Sequence, residues 1–350
     1  MRILFPIFLL IFVIGCSKED TSSYQTESTI NQNEYEVIAS NLEIPWEIAK
    51  LDDTIYISER TGSIVQIKED NYFRQPVRLE KGLSNQPEAG LLGIAFPSNF
   101  TNKAFAYYSY VDGNDFFQRV VEIQLIDDHW QETNVLLDKI PGGKFHQGGR
   151  IKIGPDQKLY ITTGDATVPE LAQDVTSLAG KILRMNIDGT IPSDNPIPNN
   201  YVYSYGHRNP QGLAWDSEGN LYASEHGSSA HDELNHIQKG KNYGWPIIQG
   251  DETKEGMLNP IVHSHEKTWA PSGMALLEGK LYFASLRGEG IRVYDLQTNM
   301  LDETLSELGR VRDVLATNQG LYVITNNTDG RGNPYANDDR LIFIPIHMLR

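Results

Sequence analysis

His146 stands among small and polar residues in Lys144-Phe145-His146-Gln147-Gly148-Gly149-Arg150, and Asp165 closes the later segment Thr162-Thr163-Gly164-Asp165. A carboxylate that fixes a histidine tautomer and stabilises its cation makes a general base. An ordinary surface His–Asp pair would use the same residues at the same spacing. A second segment, Tyr205-Gly206-His207-Arg208-Asn209-Pro210-Gln211-Gly212, sets a guanidinium fork and an amide in one short turn. That donor set suits an anionic, carbonyl-rich ligand; it would serve equally to brace the loop through backbone carbonyls. A third segment runs from Ser224 to Glu233 and places acids around Gly227. It offers carbonyl and carboxylate oxygens, the hard ligands that calcium prefers. Its histidines His226, His231 and His236 are spaced by five, which suits neither a helix face nor a strand face, so zinc is not indicated there. The EF-hand pattern is absent.

Arg310 and Arg312 are two apart and fall on one side of a strand. With Arg208 and Arg287 they would make a positive pocket in a chain of net charge −16. A polycarboxylate is the ligand such a pocket should hold. The same acidic balance lacks the basic footprint of a nucleic-acid binder. The single cysteine, Cys16, excludes an internal disulfide framework and any CxxC zinc or thioredoxin site.

The elements that must position these residues are read from a repeat. An apolar strand ending in a small residue, a turn, and a Tyr-containing strand ending in Ser or Thr recur along the chain. Ile151–Gly154 leads to Leu159-Tyr160-Ile161-Thr162; Gly212-Leu213-Ala214 leads to Leu221-Tyr222-Ala223-Ser224. Equivalent pairs begin near residues 46, 92, 273 and 314. Six units spaced by roughly 40 to 60 residues, with no sustained helical period, predict an all-β chain. The expected architecture is a single six-bladed β-propeller of four-stranded antiparallel blades, with a pair of β-sandwiches as the rival. In an antiparallel pair the start of one strand lies beside the end of the next, so His146 and Asp165 should meet at one rim.

Upstream of the repeats, Ile3 to Gly15 is an uncharged apolar run, shorter than the roughly 20 residues a membrane-crossing helix needs. It ends in Val13-Ile14-Gly15-Cys16 and switches at once to Ser17-Lys18-Glu19-Asp20. The junction resembles a bacterial lipobox. It implies a signal peptide over 1–15, acylation of Cys16, and a polar tether over 16–34 ahead of one domain over 35–350. The expected location is the cell envelope, on its periplasmic or extracellular face, held to a membrane through the lipid alone.

Several segments in order resemble the soluble quinoprotein glucose and aldose sugar dehydrogenases. They include Glu88-Ala89-Gly90-Leu91-Leu92-Gly93, His146 to Arg150, Gly164-Asp165, Leu178 to Arg184, Gly206 to Gly212, Asp232 to Asn235, Asn242 to Pro246 and Arg310 to Asp313. The resemblance spans about residues 40 to 330. It implies a six-bladed propeller using pyrroloquinoline quinone (PQQ) and calcium to oxidise an aldose at its anomeric carbon to a lactone. His146 would take the hydroxyl proton, and Asp165 would orient it. Arg208 and Asn209 would contact the quinone oxygens, and Thr268, Arg287, Arg310 and Arg312 would hold the carboxylates. Carbonyls of Gly227 and Ser228 would bind the calcium that meets PQQ, while Glu233 and the Tyr243 carbonyl match a second calcium site. Electrons would pass to an external acceptor such as a quinone, a cytochrome or a dye.

Three positions depart from the glucose-oxidising pattern. Glu88, among the cofactor-binding positions, replaces Gln; Ser228 replaces Pro; Arg287 replaces Lys. The short chain lacks the insertions of the dimeric glucose enzymes, which implies the aldose-type branch and a monomer. Two other functions fit parts of the pattern: a calcium-dependent, lactonase-like propeller hydrolase, and a non-catalytic binding lipoprotein.

Overall fold

Each repeat becomes two neighbouring antiparallel strands in the computed structural model, which describes residues 35–69, 71–98 and 102–349. Cys16, the expected signal peptide over 1–15 and the tether over 16–34 lie outside the described residues. After β1 (Glu36–Ala39), the chain forms β2 (Pro45–Leu51), β3 (Thr54–Glu59), β4 (Ser63–Lys68) and β5 (Asn71–Arg78). Next come β6 (Leu91–Ala95), β7 (Lys103–Asp112), β8 (Asp115–Ile126) and β9 (His129–Pro141). A third run holds β10 (Ile151–Ile153), β11 (Lys158–Thr163), β12 (Lys181–Asn186) and β13 (Val202–Tyr205). The fourth holds β14 (Pro210–Trp215), β15 (Leu221–Glu225), β16 (Glu233–Ile237) and β17 (Val262–His263). The fifth holds β18 (Pro271–Leu277), β19 (Lys280–Ser285), β20 (Ile291–Asp295) and β21 (Met300–Thr304). Last are β22 (Val311–Thr317), β23 (Gly320–Thr325) and β24 (Leu341–Pro345).

Runs three, four and five are four-stranded sheets in simple sequential order. The first two runs merge into one eight-stranded sheet, because β5 lies parallel to β9 with Val77 opposite Trp130 and Arg78 opposite Gln131. β1 completes the last sheet by pairing with β24, Glu36 opposite Phe343. The leading strands also pack in a cycle: β2 on β6, β6 on β10, β14 on β18, β18 on β22 and β22 on β2. The remaining gap is bridged by β11 on β14.

Burial explains the strand sequences. β3 and β19 are covered on both faces by neighbouring sheets and read as nearly continuous apolar runs. β21, at a sheet edge, has no buried residue and reads Met-Leu-Asp-Glu-Thr. A Ser one residue before the end of some second strands ties one run to the next. Ser58 Oγ donates to the Leu92 carbonyl, and Ser224 Oγ donates to the Ser272 carbonyl. Between successive runs lie apolar clusters, such as Phe105, Tyr107 and Val120 against Ile151, Leu159 and Ile161.

At the centre, where the leading strands converge, the core is ionic. Arg150 is fully buried just ahead of β10, with Nη1 3.0 Å from Asp313 Oδ2 and 3.4 Å from Glu47 Oε1. Its Nε donates to the Gln211 carbonyl at 2.7 Å. Asp313 Oδ2 also accepts from the Ile48 N–H, and Glu47 Oε2 from the Ile94 N–H. Gly273 of β18 passes so close that a Cβ there would lie 1.6 Å from Asp313 Oδ1. One cluster thus touches all six runs. Replacing Arg150 by Met would leave two buried carboxylates unpaired, so R150M should lower the unfolding free energy by about 3–5 kcal/mol. Denaturant unfolding measures this, and unchanged stability would show that the carboxylates do not depend on the cation.

Two carboxylates share one guanidinium, and burial pushes the Glu47 carboxyl up to about 7, with Arg150 opposing the rise and Asp313 adding to it. The unfolded chain releases that proton near the ordinary value of 4.5. The folded state therefore binds more protons between these values, and the Glu47 contribution to stability is complete below the lower one. It is lost as pH rises through about 7. E47Q mimics the protonated side chain and should flatten this fall, read from denaturation midpoints across the same pH window.

Candidate active site

His146 follows β9 and adopts a left-handed backbone, φ 61°. Its Nδ1 lies 2.7 Å from Asp165 Oδ1, just past the end of β11. A carboxylate only accepts, so Nδ1 carries the proton and Nε2 is the unprotonated nitrogen. Arg208 Nη2 donates to that Nε2 at 2.9 Å. Asp165 is itself held by the Trp245 indole N–H at 2.9 Å and by the Thr167 N–H at 2.8 Å. The ring is oriented by a buried carboxylate that two further donors hold in place, which is the arrangement a general base needs.

Glu88 meets His146 from the other side. Its Oε2 accepts the His146 backbone N–H at 2.8 Å, and its Oε1 lies 3.2 Å from Arg331 Nη1. Its pKa lies below the usual carboxylate value: burial acts to raise it, and His226, the His146 N–H and Arg331 outweigh that. Where the related pattern has Gln, this chain has a carboxylate with its own counterion. Arg331 was not singled out from the sequence. It sits in Asp329-Gly330-Arg331-Gly332, a glycine-flanked polar segment of the kind that exposed the others.

Arg312 is buried, with Nη2 2.8 Å from Asn326 Oδ1, Nη1 3.0 Å from Gln211 Oε1, and its guanidinium 4.4 Å from the Trp46 ring centre. All three partners are uncharged. Burial lowers its pKa; Asp329 opposes this, while Arg310 and Arg60 add to it. A guanidinium remains charged regardless, so this is a cation lacking a full counter-anion. Arg310 differs, because Asp329 Oδ2 pairs with its Nη2 at 2.9 Å. Arg287 is exposed, and the neighbouring Leu286 N–H goes to the Ala270 carbonyl. Asn209 is buried and spends its Oδ1 on the Gly148 N–H at 2.9 Å. Buried Asn326 Nδ2 and His226 Nε2 have no hydrogen-bond partner among the described residues. An under-neutralised cation beside orphaned polar nitrogens fits an anionic, acceptor-rich ligand such as PQQ.

The loop after β15 is organised by Asp232. Its Oδ1 accepts the Gly227 N–H, while its Oδ2 takes the Thr268 hydroxyl and the Trp269 and Ala270 N–H groups. Thr268 is thereby tied to the Gly227–Ser228 loop. The Ser228 carbonyl receives only a long contact from Arg208 Nη2, at 3.4 Å. Glu225 accepts from His207 Nδ1 at 2.8 Å and from the Arg208 backbone N–H. Beside it, burial first and Glu225 second push the Glu233 carboxyl up to about 8. Tyr243 stacks on His207 at 4.8 Å and shares a cleft with Glu225, Glu233, Arg208 and His226. Acids crowded into a cleft, with a buried Asn235 Oδ1 lacking a partner, fit a hard cation. The sequence histidines separate: His236 stacks on Tyr222, whereas His231 stacks on His263.

Residues 42–337 match the family model described as Glucose / Sorbosone dehydrogenase. The chain is 30% identical to the aldose sugar dehydrogenase YliI of Escherichia coli, over 84% of this chain and 90% of that protein. It is 35% identical to quinoprotein glucose dehydrogenase B of Acinetobacter calcoaceticus, over 63% of this chain and 54% of that one. Among solved structures, the PQQ-bound aldose sugar dehydrogenase of Streptomyces coelicolor superposes with a TM-score of 0.81 at 37% identity, covering 87% of this chain and 95% of that one. With an all-β fold and a match across most of its length, the chain belongs to the glucose/sorbosone dehydrogenase family of oxidoreductases.

Proposed function

We propose that this protein is a PQQ- and calcium-dependent aldose dehydrogenase that oxidises the anomeric carbon to a lactone and passes the electrons to an external acceptor. The observation that carries the proposal is the His146–Asp165 pair, with Nε2 unprotonated and accepting from Arg208, together with the under-neutralised Arg312. His146 Nε2 would take the proton of the anomeric hydroxyl. Asp165 would hold the opposite N–H and stabilise the imidazolium that results. Arg208 occupies Nε2 in this structure and would release it to reach ligand oxygens, leaving the nitrogen for the sugar. Glu88 would position His146 through its backbone N–H.

Arg310, Arg312, Arg287 and Thr268 would hold the cofactor carboxylates, and Arg208 with the Asn209 amide N–H would meet its quinone oxygens. Carbonyls of Gly227 and Ser228 would bind one calcium ion; Glu233 and the Tyr243 carbonyl would bind another. When bound, the quinone supplies the two-electron acceptor, polarised by calcium as a Lewis acid. A lactonase-like hydrolase would leave the buried arginines without a ligand, and a purely binding lipoprotein would leave the His146 pair idle. We read the six runs as six propeller blades, the eight-stranded sheet counting as two; the cyclic packing of leading strands supports that count. Acylation at Cys16 would hold this domain, as a monomer, at an envelope membrane.

Apo-protein mixed with PQQ, calcium, a panel of aldoses and a redox dye tests the reading. Dye reduction should require both PQQ and calcium, and a chelator should remove it. H146A should slow turnover by about 10²–10⁴-fold while PQQ still titrates the protein, because only the proton acceptor is lost. D165N should slow turnover by a similar factor, through the wrong tautomer. No dye reduction with any sugar, together with no PQQ binding, would overturn the proposal; undiminished turnover in H146A would remove His146 as the base.

A further inference from the structure

We propose that Asp251, His263 and His265 form a site for a divalent transition-metal ion of the zinc class, outside the cleft described above. The inference does not rest on the dehydrogenase reading. His263 ends β17, where its residue lies opposite Glu233 of β16. His265 turns back over it with φ 50°, ring centres 4.1 Å apart. Asp251 comes from the turn after Gly250, with Oδ1 3.1 Å from His263 Nε2 and Oδ2 3.8 Å from His265 Nδ1. One ligand atom from each of the three lies within 4.8 Å of the other two.

His263 is only 7% exposed, yet its Nε2 makes no hydrogen bond: the contact to Asp251 is short but misaligned. A buried imidazole nitrogen aimed at a carboxylate without an aligned hydrogen bond is available as a metal ligand. Around zinc, nitrogen and oxygen ligands at about 2.0–2.2 Å stand roughly 3.3 Å from one another. Rotations of the Asp251 and His265 side chains, 85% and 71% exposed, would close the set to that size. Two imidazoles and one carboxylate favour zinc, nickel or copper over calcium, which takes oxygen throughout. There is one definite cost. The His265 N–H donates to His263 Nδ1 at 3.2 Å, and metal at Nε2 moves the ring proton to Nδ1 and ends that bond.

The turn reaches the site only because residue 250 is glycine. With φ 56°, a Cβ there would lie 2.8 Å from His231 Cδ2 and 3.0 Å from His263 Cε1. The Gly250 N–H donates to Glu233 Oε1, the His231 N–H to the His265 carbonyl, and the Ser228 hydroxyl to Gln249 Oε1. An ion here would clip the 249–252 turn to residues 263–265 and brace the Gly227–Ser228 loop from outside.

The test uses the tag-free full chain, stripped with a chelator and returned to excess calcium so that oxygen sites are filled. Zinc is titrated by calorimetry, and cobalt by its ligand-field absorption. One equivalent should bind, D251N and H265A should each weaken it at least about tenfold, and the double variant should show no saturable uptake. Both side chains are exposed, so circular dichroism should match the parent. No zinc uptake above calcium, or uptake unchanged in the double variant, would overturn the site. Neither PQQ nor sugar is present, so failure here is distinct from failure of the dehydrogenase reading.

Discussion

The constraint on which the structure depends is the burial of one guanidinium between two carboxylates where all the leading strands meet. Arg150, Glu47 and Asp313 come from runs three, one and six, and their remaining partners come from runs two and four. A hydrocarbon core at this point would hold the strands together without registering them. Charges in a dry centre must be paired, and this mutual placement of the runs brings one guanidinium within ion-pair distance of both carboxylates. The same centre places the His146 turn: Arg150 begins where Gly148 and Gly149 end, and the Gly149 N–H bonds to the Thr162 carbonyl.

From that anchor, the candidate site is assembled by side chains that reach across runs rather than along them. His146 precedes run three and Asp165 lies within it, Arg208 and Trp245 belong to run four, and Arg331 arrives from the last run to meet Glu88 before the second. Each loop is therefore braced by its neighbours. A left-handed backbone at His146 is costly for a non-glycine residue and persists because Glu88, Asp165 and Arg208 over-determine it. Rigid placement of this kind lets a single imidazole nitrogen be presented with its tautomer already chosen.

The charge pattern has a logic of its own. The chain is strongly acidic, yet its interior gathers arginines that differ in how completely they are neutralised. Arg150 and Arg310 are each paired with a carboxylate. Arg312 bonds only to neutral groups, and Arg208 is shared between an imidazole, distant carbonyls and the Trp245 face. Two acids, Glu233 and Glu225, crowd together in the neighbouring cleft. Anion-seeking and cation-seeking groups stand side by side, as a ligand pair of opposite charge requires.

The repeat made the strand pairs legible, because a strand covered on both faces must be apolar and a turn must be polar or glycine-rich. Each Tyr-containing strand read from the sequence is the second strand of its run. His146 and Asp165 were legible together for the same reason: antiparallel pairing brings a strand's start to its partner's end. What local pattern could not reveal were partners distant in sequence. Glu88 reads alone as a carboxylate intruding on an anion site; in space Arg331 neutralises it and the His146 N–H uses it. Spacing by five argued against zinc among His226, His231 and His236, yet His263, His265 and Asp251 converge through a sheet edge and a turn. Arg287 and Arg312 read as equals, but one is exposed and the other is buried. Sequence alone determined which segments alternate between core and loop, since that depends on residue type and local period. Which loops face each other, and which charges are left unpaired, only the closed arrangement of sheets decided, because those contacts join residues tens to hundreds of positions apart.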